Sequence, residues 1–207
     1  NKMIQNLSFN IKDIKNISTE EKKLREKNLK LFNKSGFPGK KIEDWKFTDL
    51  NKIINENFND LKQDNFVLEK KNINLIDDFE HNSIFLINGN LDSYNLNYEN
   101  EKRFVIEKHK DELMNRSEGK NSLINLNNAL SQGGFYLEVE SNYKFNKPLI
   151  IYNYFSKNLK NIILNNKNSI KLNSDSEINI IEFNIGKSED NFIYNNYTNI
   201  VIEENAS

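Results

Sequence analysis

Apolar and polar positions along the 207 residues fall into two regimes that meet near residue 131. In the first, apolar residues recur at helical spacing. Ser18 is placed to cap a helix, with Glu21 three residues later to complete a capping box. Leu24, Leu31 and Phe32 then recur on one face among Lys, Arg and Glu until Gly36 and Pro38 stop the pattern, which predicts an amphipathic helix over residues 18–34. Ile53, Ile54 and Phe58 predict a second, short helix, followed by a polar connector over residues 59–65. Residues 66–75 fit either period. Residues 83–88 read as an apolar strand ending in Asn88-Gly89, a pair suited to the positive backbone angles of a tight turn. Residues 103–107 read as another strand, 109–114 as a short helix, and 123–130 as two helical turns broken by Gly133-Gly134.

From Phe135 the period becomes two, as in Phe135, Leu137 and Val139 against Tyr136, Glu138 and Glu140. Further strands are predicted over 149–155, 161–164, 169–172, 177–183, 191–194 and 198–202, with no helix between them. Such spacing is shared by sandwiches, barrels and β-helical solenoids, and periodicity does not choose among the three. Polar corners such as Asn165-Asn166-Lys167-Asn168 suit a solenoid, because stacked Asn side chains satisfy one another. The expected fold class is therefore α+β. Residues 1–130 form a mixed, mainly helical region with short strands, and residues 131–207 form a β-rich repeat domain. A strand pattern that runs to within a few residues of Ser207, together with the absence of an initial Met, suggests part of a longer protein.

Composition narrows the chemistry. The chain has no cysteine, which removes disulfides, thiolate metal sites and cysteine nucleophiles from this segment. Lys and Arg number 29 against 30 Asp and Glu, so no broad attraction to nucleic acid or anionic membrane is expected. No apolar run reaches the roughly 18 residues of a membrane span, and residues 1–16 lack a signal-peptide layout, so a cytoplasmic setting is expected. Asn supplies roughly a fifth of the residues while Ala and Arg are nearly absent, the mark of an AT-rich genome rather than of function. The Asn-x-Ser/Thr matches, such as Asn6-Leu7-Ser8 and Asn196-Tyr197-Thr198, follow from that abundance.

The candidate chemistry is sparse. His81 and His109 lie far apart in sequence and read as surface residues. Glu43-Asp44 are adjacent and point apart, so they read as helix-start carboxylates rather than an acid/base pair. Gly133-Gly134 follows a helix and precedes a strand, the reverse of a dinucleotide loop. The retention-like run His109-Lys110-Asp111-Glu112-Leu113 is internal and carries no address. Lys22-Lys23 and Lys40-Lys41 read as solvated faces. No catalytic, cofactor-binding or metal-ligating residue is assigned, which favours an interaction protein over an enzyme.

One stretch is distinctive. Phe37-Pro38 leads into Glu43-Asp44-Trp45-Lys46-Phe47-Thr48 and Leu50, and this resembles the N-terminal signature of the SufB/SufD family of iron-sulfur cluster assembly proteins, in its SufD branch. Phe85-Leu86-Ile87-Asn88-Gly89, Leu126-Asn127-Asn128-Ala129 and Lys147-Pro148-Leu149 resemble further family motifs in the same order, with Glu182 and Glu203-Glu204-Asn205-Ala206 as weaker matches. The resemblance implies a helical N-terminal region and the first turns of a right-handed parallel β-helix. It also implies a non-catalytic scaffold subunit of the SUF complex, pairing with a SufB-like paralogue and, through a C-terminal segment, with a SufC-like ATPase. The iron-sulfur cluster would be assembled by the parent complex, no cofactor is implied for this segment, and the family's cluster-handling residues fall beyond Ser207. Self-association into a homodimer through an open solenoid end is a further expectation.

Trp45 and Phe47 are expected to pack on the helix carrying Leu24, Leu31 and Phe32, so that Trp45→Ala would loosen the region. The alternative function is a carbohydrate-binding or carbohydrate-active β-helix, with Tyr143, Tyr152, Tyr154, Tyr194 and Tyr197 as stacking platforms. A β-sandwich module is a third reading and predicts antiparallel pairing.

Overall fold

The computed structural model describes residues 6–64, 75–110, 114–117, 119–156, 158–186 and 188–207. Ser18 caps the first helix, α1 (Thr19–Ser35), by accepting from the Glu21 amide, and Gly36 at φ 68° ends it with its N–H on the Phe32 carbonyl. The second half of the expected capping box is replaced: the Glu21 carboxylate turns to Arg25 and Arg116. The apolar stripe is also not the packed face. Leu24 is exposed, and α1 buries Glu21, Arg25, Asn28 and Phe32, a largely polar stripe at helical spacing.

Helix α2 (Leu50–Asn57) forms as predicted, capped by Asp49, and buries Ile54 beside Phe58. The predicted polar connector is instead a strand. With β1 (Asn6–Ser8), strand β2 (Asp60–Gln63) forms a parallel pair, and the core contact of Leu61 is the signal that polar neighbours concealed. Residues 66–74 of the ambiguous stretch and 111–113 of the predicted helix lie outside the described residues; His109 and Lys110 before the latter are not helical.

Strand β3 (Asn82–Ile87) turns through Asn88 and Gly89, at φ 49° and 82°, into β4 (Asn90–Asn95), which is the tight hairpin that Asn-Gly predicts. Strand β5 (Phe104–Lys108) and helix α3 (Ser122–Leu130) also match expectation. Five strands follow: β6 (Phe135–Val139), β7 (Leu149–Phe155), β8 (Ile162–Leu172), β9 (Ile180–Gly186) and β10 (Ile193–Ile202). Two expected pairs of short strands have each fused, because residues 165–168 and 195–197 are not corners but strand interior.

The described residues thus form a mixed α/β fold with three helices and two mixed sheets, and both sheets draw strands from either side of residue 130. One sheet carries β1, β2, β8, β6, β5 and β10; the other runs β4-β3-β7-β9. Successive strands from β6 to β10 therefore alternate between the two sheets. The pairs β6–β8, β8–β10, β3–β7 and β7–β9 are parallel, which dismisses the sandwich reading; among the described residues antiparallel strand pairing is confined to β3–β4 and β5–β6. Tyr136 faces Ser169 and Ile163 faces Ile193, so one rung follows the last after about 30 residues.

The corners stack as well as the strands. Asn142, Asp175 and Asn205 each take a left-handed φ at equivalent places, and Asn142 N–H donates to Ser174 O, Asp175 N–H to Glu204 O, and Ser207 N–H to Ser176 O. Asn and Asp tolerate this conformation through local hydrogen bonds, which is one use for the chain's Asn content. Between the sheets lies an apolar core including Ile84, Leu86, Phe135, Leu137, Val139, Leu149, Ile151, Ile170 and Leu172. A second core packs the helices on the first sheet through Phe32, Phe37, Ile54, Phe58, Leu61, Leu126, Ala129 and Ile163.

Candidate functional site

The densest chemistry lies where α1 meets the end of α3. Helix α3 leaves its last carbonyls without helical partners. Two buried guanidinium groups supply them. Arg25 donates to Ala129 O at 2.8 Å and Ser131 O at 2.9 Å. Arg116 donates to Asn128 O at 2.9 Å, Ser131 Oγ at 2.8 Å and Ser131 O at 3.1 Å. Cations at a helix C-terminus also meet the negative end of its dipole. Arg25 and Arg116 are 0% and 2% exposed, and the Glu21 carboxylate lies between their Nε atoms, 3.1 Å from that of Arg25 and in contact with that of Arg116. One carboxylate thus partly neutralises two cations removed from water.

His109 belongs to this cluster rather than to the open surface, contrary to expectation. Its Nδ1 is 2.8 Å from Gly133 O and its Nε2 is 2.7 Å from an Arg116 Nη2. The carbonyl only accepts and the guanidinium only donates, so Nδ1 carries the proton and Nε2 accepts: both nitrogens of a neutral ring are engaged. His81 stands elsewhere, donating from Nδ1 to Phe79 O at 2.9 Å and accepting from the Tyr152 hydroxyl at 2.9 Å. Among the described residues no group of three His, Cys, Asp or Glu side chains is placed to hold a metal ion.

Polar groups extend the cluster inward. Asn28 donates to Arg116 O at 3.0 Å, and Asn128 donates to Ser117 O at 2.7 Å. Lys167, on β8 and 1% exposed, reaches the Asn115 carbonyl and the Asn128 side-chain oxygen, with the Tyr197 ring 5.2 Å away. Gly133 and Gly134 permit this closeness: a Cβ on Gly134, at φ 120°, would lie 1.9 Å from Lys167 O, and one on Gly133 would lie 2.6 Å from Gly89 O. The glycine pair is therefore a backbone crossing point.

A cleft of about 990 Å³ opens beside the cluster, lined by residues that include Lys15, Glu20, Leu24, His109 and Gln132. The charged groups behind it are tied to helix ends and to one another, an arrangement suited to fixing the junction of α1 and α3. Asparagines on facing strands form a ladder, where the sequence pointed to stacking at corners. Asn166 donates to Asn196 at 3.0 Å, Asn195 to Asn165 at 2.8 Å, and Asn153 to Asn184 at 3.0 Å. Asn127 of α3 joins it by donating to Asn166 O at 2.7 Å and Asn195 O at 2.9 Å.

On the outer face, Glu138 accepts from Tyr136 at 2.6 Å, Lys171 at 2.9 Å and Asn173 at 3.0 Å. The Tyr136 hydroxyl, then Asn173 and Lys171, hold its carboxyl down at about 2, while burial and the same carboxylate push the Tyr136 phenol well above its ordinary value.

The other expected sites move. Phe47 is 89% exposed with Lys46 5.3 Å over its ring, and Trp45 is half-buried in a 3-10 turn over Glu43–Trp45. Phe32 instead packs on Phe37 and Phe9, at centroid distances of 5.1 and 6.0 Å. Phe37, one residue before Pro38, is buried edge-on to Phe32, the place expected of the motif's aromatics. Glu43 pairs with Lys46 at 2.6 Å and takes no proton-sharing partner in Asp44. The candidate stacking tyrosines are engaged within the protein: Tyr152 is stacked between Phe85 and Phe183, Tyr154 is buried, Tyr194 packs edge-on to Phe155, Tyr143 donates to Glu99 at 2.7 Å, and Tyr197, half-buried, lies 5.2 Å from the Lys167 ammonium.

No helix among the described residues is long and apolar enough to cross a membrane. Residues 8–151, more than half of the chain, match the family model for the SufBD protein N-terminal region. No curated protein matches the chain.

Proposed function

The chain belongs to the SufB/SufD family, whose members take part in SUF iron-sulfur cluster assembly, and from that premise we propose that it is a non-catalytic scaffold subunit of the SufD branch. The observation that carries this reading is the match over residues 8–151, which includes the Phe37–Leu50 signature. Two structural features support it. Strands β6 to β10 alternate between two parallel-paired sheets with stacked corners, which supports reading them as the first coils of a parallel β-helix, right-handed by the general rule for parallel crossovers. The best-developed polar cluster, around Glu21, Arg25 and Arg116, is arranged to hold helices together.

In this reading the subunit works in the cytoplasm, pairs with a SufB-like paralogue and recruits a SufC-like ATPase. The iron-sulfur cluster is cargo of the assembly rather than a resident group of this segment. Co-expression of the complete reading frame with both neighbours, followed by native mass spectrometry of the purified assembly, tests it. The expected result is a stable complex of one copy of this chain, one paralogue and two ATPase subunits. A chain that purifies alone in the presence of both neighbours overturns the scaffold assignment.

A further inference from the structure

Asn88-Gly89 is the single Asn-Gly step in the sequence. In such a step nothing on the second residue hinders its amide nitrogen from attacking the Asn carboxamide carbon. The new C–N bond closes a succinimide, the bond to the side-chain nitrogen breaks, and ammonia leaves with the amide proton. Water then opens the ring to aspartate or isoaspartate. The turn is conformationally open to this chemistry in sequence terms, yet the fold restrains it. Asn88 Nδ2 donates to Ser156 Oγ at 2.9 Å, and Asn88 Oδ1 accepts from the Ser156 N–H at 2.9 Å. The Asn88 N–H donates to Tyr154 O at 2.9 Å. The carboxamide is thus held at both ends by one residue of the next strand's exit, and ring closure requires those bonds to break.

We infer that the Asn88-Gly89 turn is a succinimide-forming modification site that Ser156 keeps closed in the folded protein, so that the modification marks chains in which the exit of β7 has opened. The product does not fit the closed turn. Isoaspartate adds a backbone carbon to a two-residue connection whose register is fixed on both sides. It also replaces the amide donor to Ser156 Oγ by a carboxylate. Gly89 has no room to adjust, because its α-carbon already sits against the Asn166 side chain, where an added Cβ would be at 3.0 Å, and its carbonyl faces Gly133. Once formed, the modified turn would hold β3 and the β7 exit apart.

The test is incubation of the purified chain in 18O-labelled water at neutral pH, with aspartate and isoaspartate at position 88 quantified by peptide mass spectrometry. Native protein is compared with the same chain in denaturant, and with Ser156→Ala and Ser156→Thr. The native rate should fall at least about tenfold below the denatured rate, since reaction waits on local opening. Ser156→Ala, which loses the hydroxyl acceptor alone, should react about threefold to tenfold faster than wild type, while Ser156→Thr stays within about twofold of it. A folded Ser156→Ala that reacts at the wild-type rate overturns the role of Ser156. Should that variant fail to fold, equal native and denatured rates in wild type or Ser156→Thr overturn the inference, and a native rate at least tenfold lower in both upholds it.

Discussion

Replacing Glu21 by Gln removes one charge and almost no volume from the junction of α1 and α3. In the parent, its Oε1 faces the Nε atoms of Arg25 and Arg116, both of which are sealed from water. At an effective dielectric constant of about 20, a pair at this separation gains roughly 5 kcal/mol, part of which repays the desolvation of the ions. Taking the carboxylate away leaves that desolvation in place, and the measured cost of breaking a buried pair in this way is about 3 to 5 kcal/mol. For a chain of this size each kcal/mol moves the melting temperature by about 2 to 4 °C, so Glu21→Gln should melt about 6 to 20 °C below the parent. Glu20, its exposed neighbour on the same turn, supplies the control: Glu20→Gln should change stability by no more than about 0.5 kcal/mol. Thermal melts by circular dichroism, with urea titration to confirm an unchanged slope, make the comparison. If Glu21→Gln and Glu20→Gln melt together, the cluster does not hold α1 to α3 and the argument from burial fails.

Three other outcomes are expected. Phe47→Ala should leave the melting temperature unchanged, whereas Phe32→Ala should cost about 3 to 5 kcal/mol in a urea titration, because the first ring is solvated and the second fills the helix–sheet core. Asn127→Ala strands two strand carbonyls at once and should cost about 2 to 3 kcal/mol, with the amides of β8 and β10 losing hydrogen-exchange protection first. The Glu138 carboxyl, held down at about 2 in the folded chain, binds its proton more readily when unfolded; its stabilising contribution is therefore full above about pH 4.5 and is lost as pH falls towards 2. Partial solvation reduces that contribution to on the order of 1 to 2 kcal/mol, and Glu138→Gln should flatten the acid limb of the stability curve measured by urea titration from pH 6 down to pH 2 by about that amount.

How much of this was legible in the sequence depends on which physical signal each element carries. The capped α1, the Asn88-Gly89 hairpin, α3, the alternating β6 and the short apolar run of β7 announce themselves, because cap chemistry, turn angles and apolar patterning all act locally. Strand β2 and the middles of β8 and β10 are hidden by polar residues. The asparagines of β8 and β10 look like corner residues, since Asn avoids strands when its amide must compete with the ladder. Here each amide finds an equivalent amide one rung away, as between Asn195 and Asn165, so the side chain reinforces the ladder it would otherwise weaken. Only pairing across a rung reveals this, and that information is nonlocal.

The Glu21–Arg25–Arg116 cluster was illegible for a different reason. A search for an apolar stripe on α1 selects Leu24, Leu31 and Phe32, yet the face that packs runs Glu21, Arg25, Asn28 and Phe32. Both sets obey helical spacing, and hydrophobicity ranks the wrong one first. The usable signal lay in residue choice. The chain takes Lys for nearly all its positive charge and keeps three arginines, of which two are buried side by side at the end of α3. Lys supplies a compact point charge, whereas a planar guanidinium serves several carbonyls and a carboxylate together, as Arg116 does with Asn128, Ser131, His109 and Glu21. In a composition that presses every cation towards Lys, a retained Arg is a request for that geometry, and Arg25 and Arg116 were the residues to follow. The same reasoning makes Arg103 informative: it spans the β5–β6 junction by donating to Ser141 O at 2.6 Å while lying 5.4 Å from the Tyr143 ring, two contacts that demand a flat, multiply donating cation.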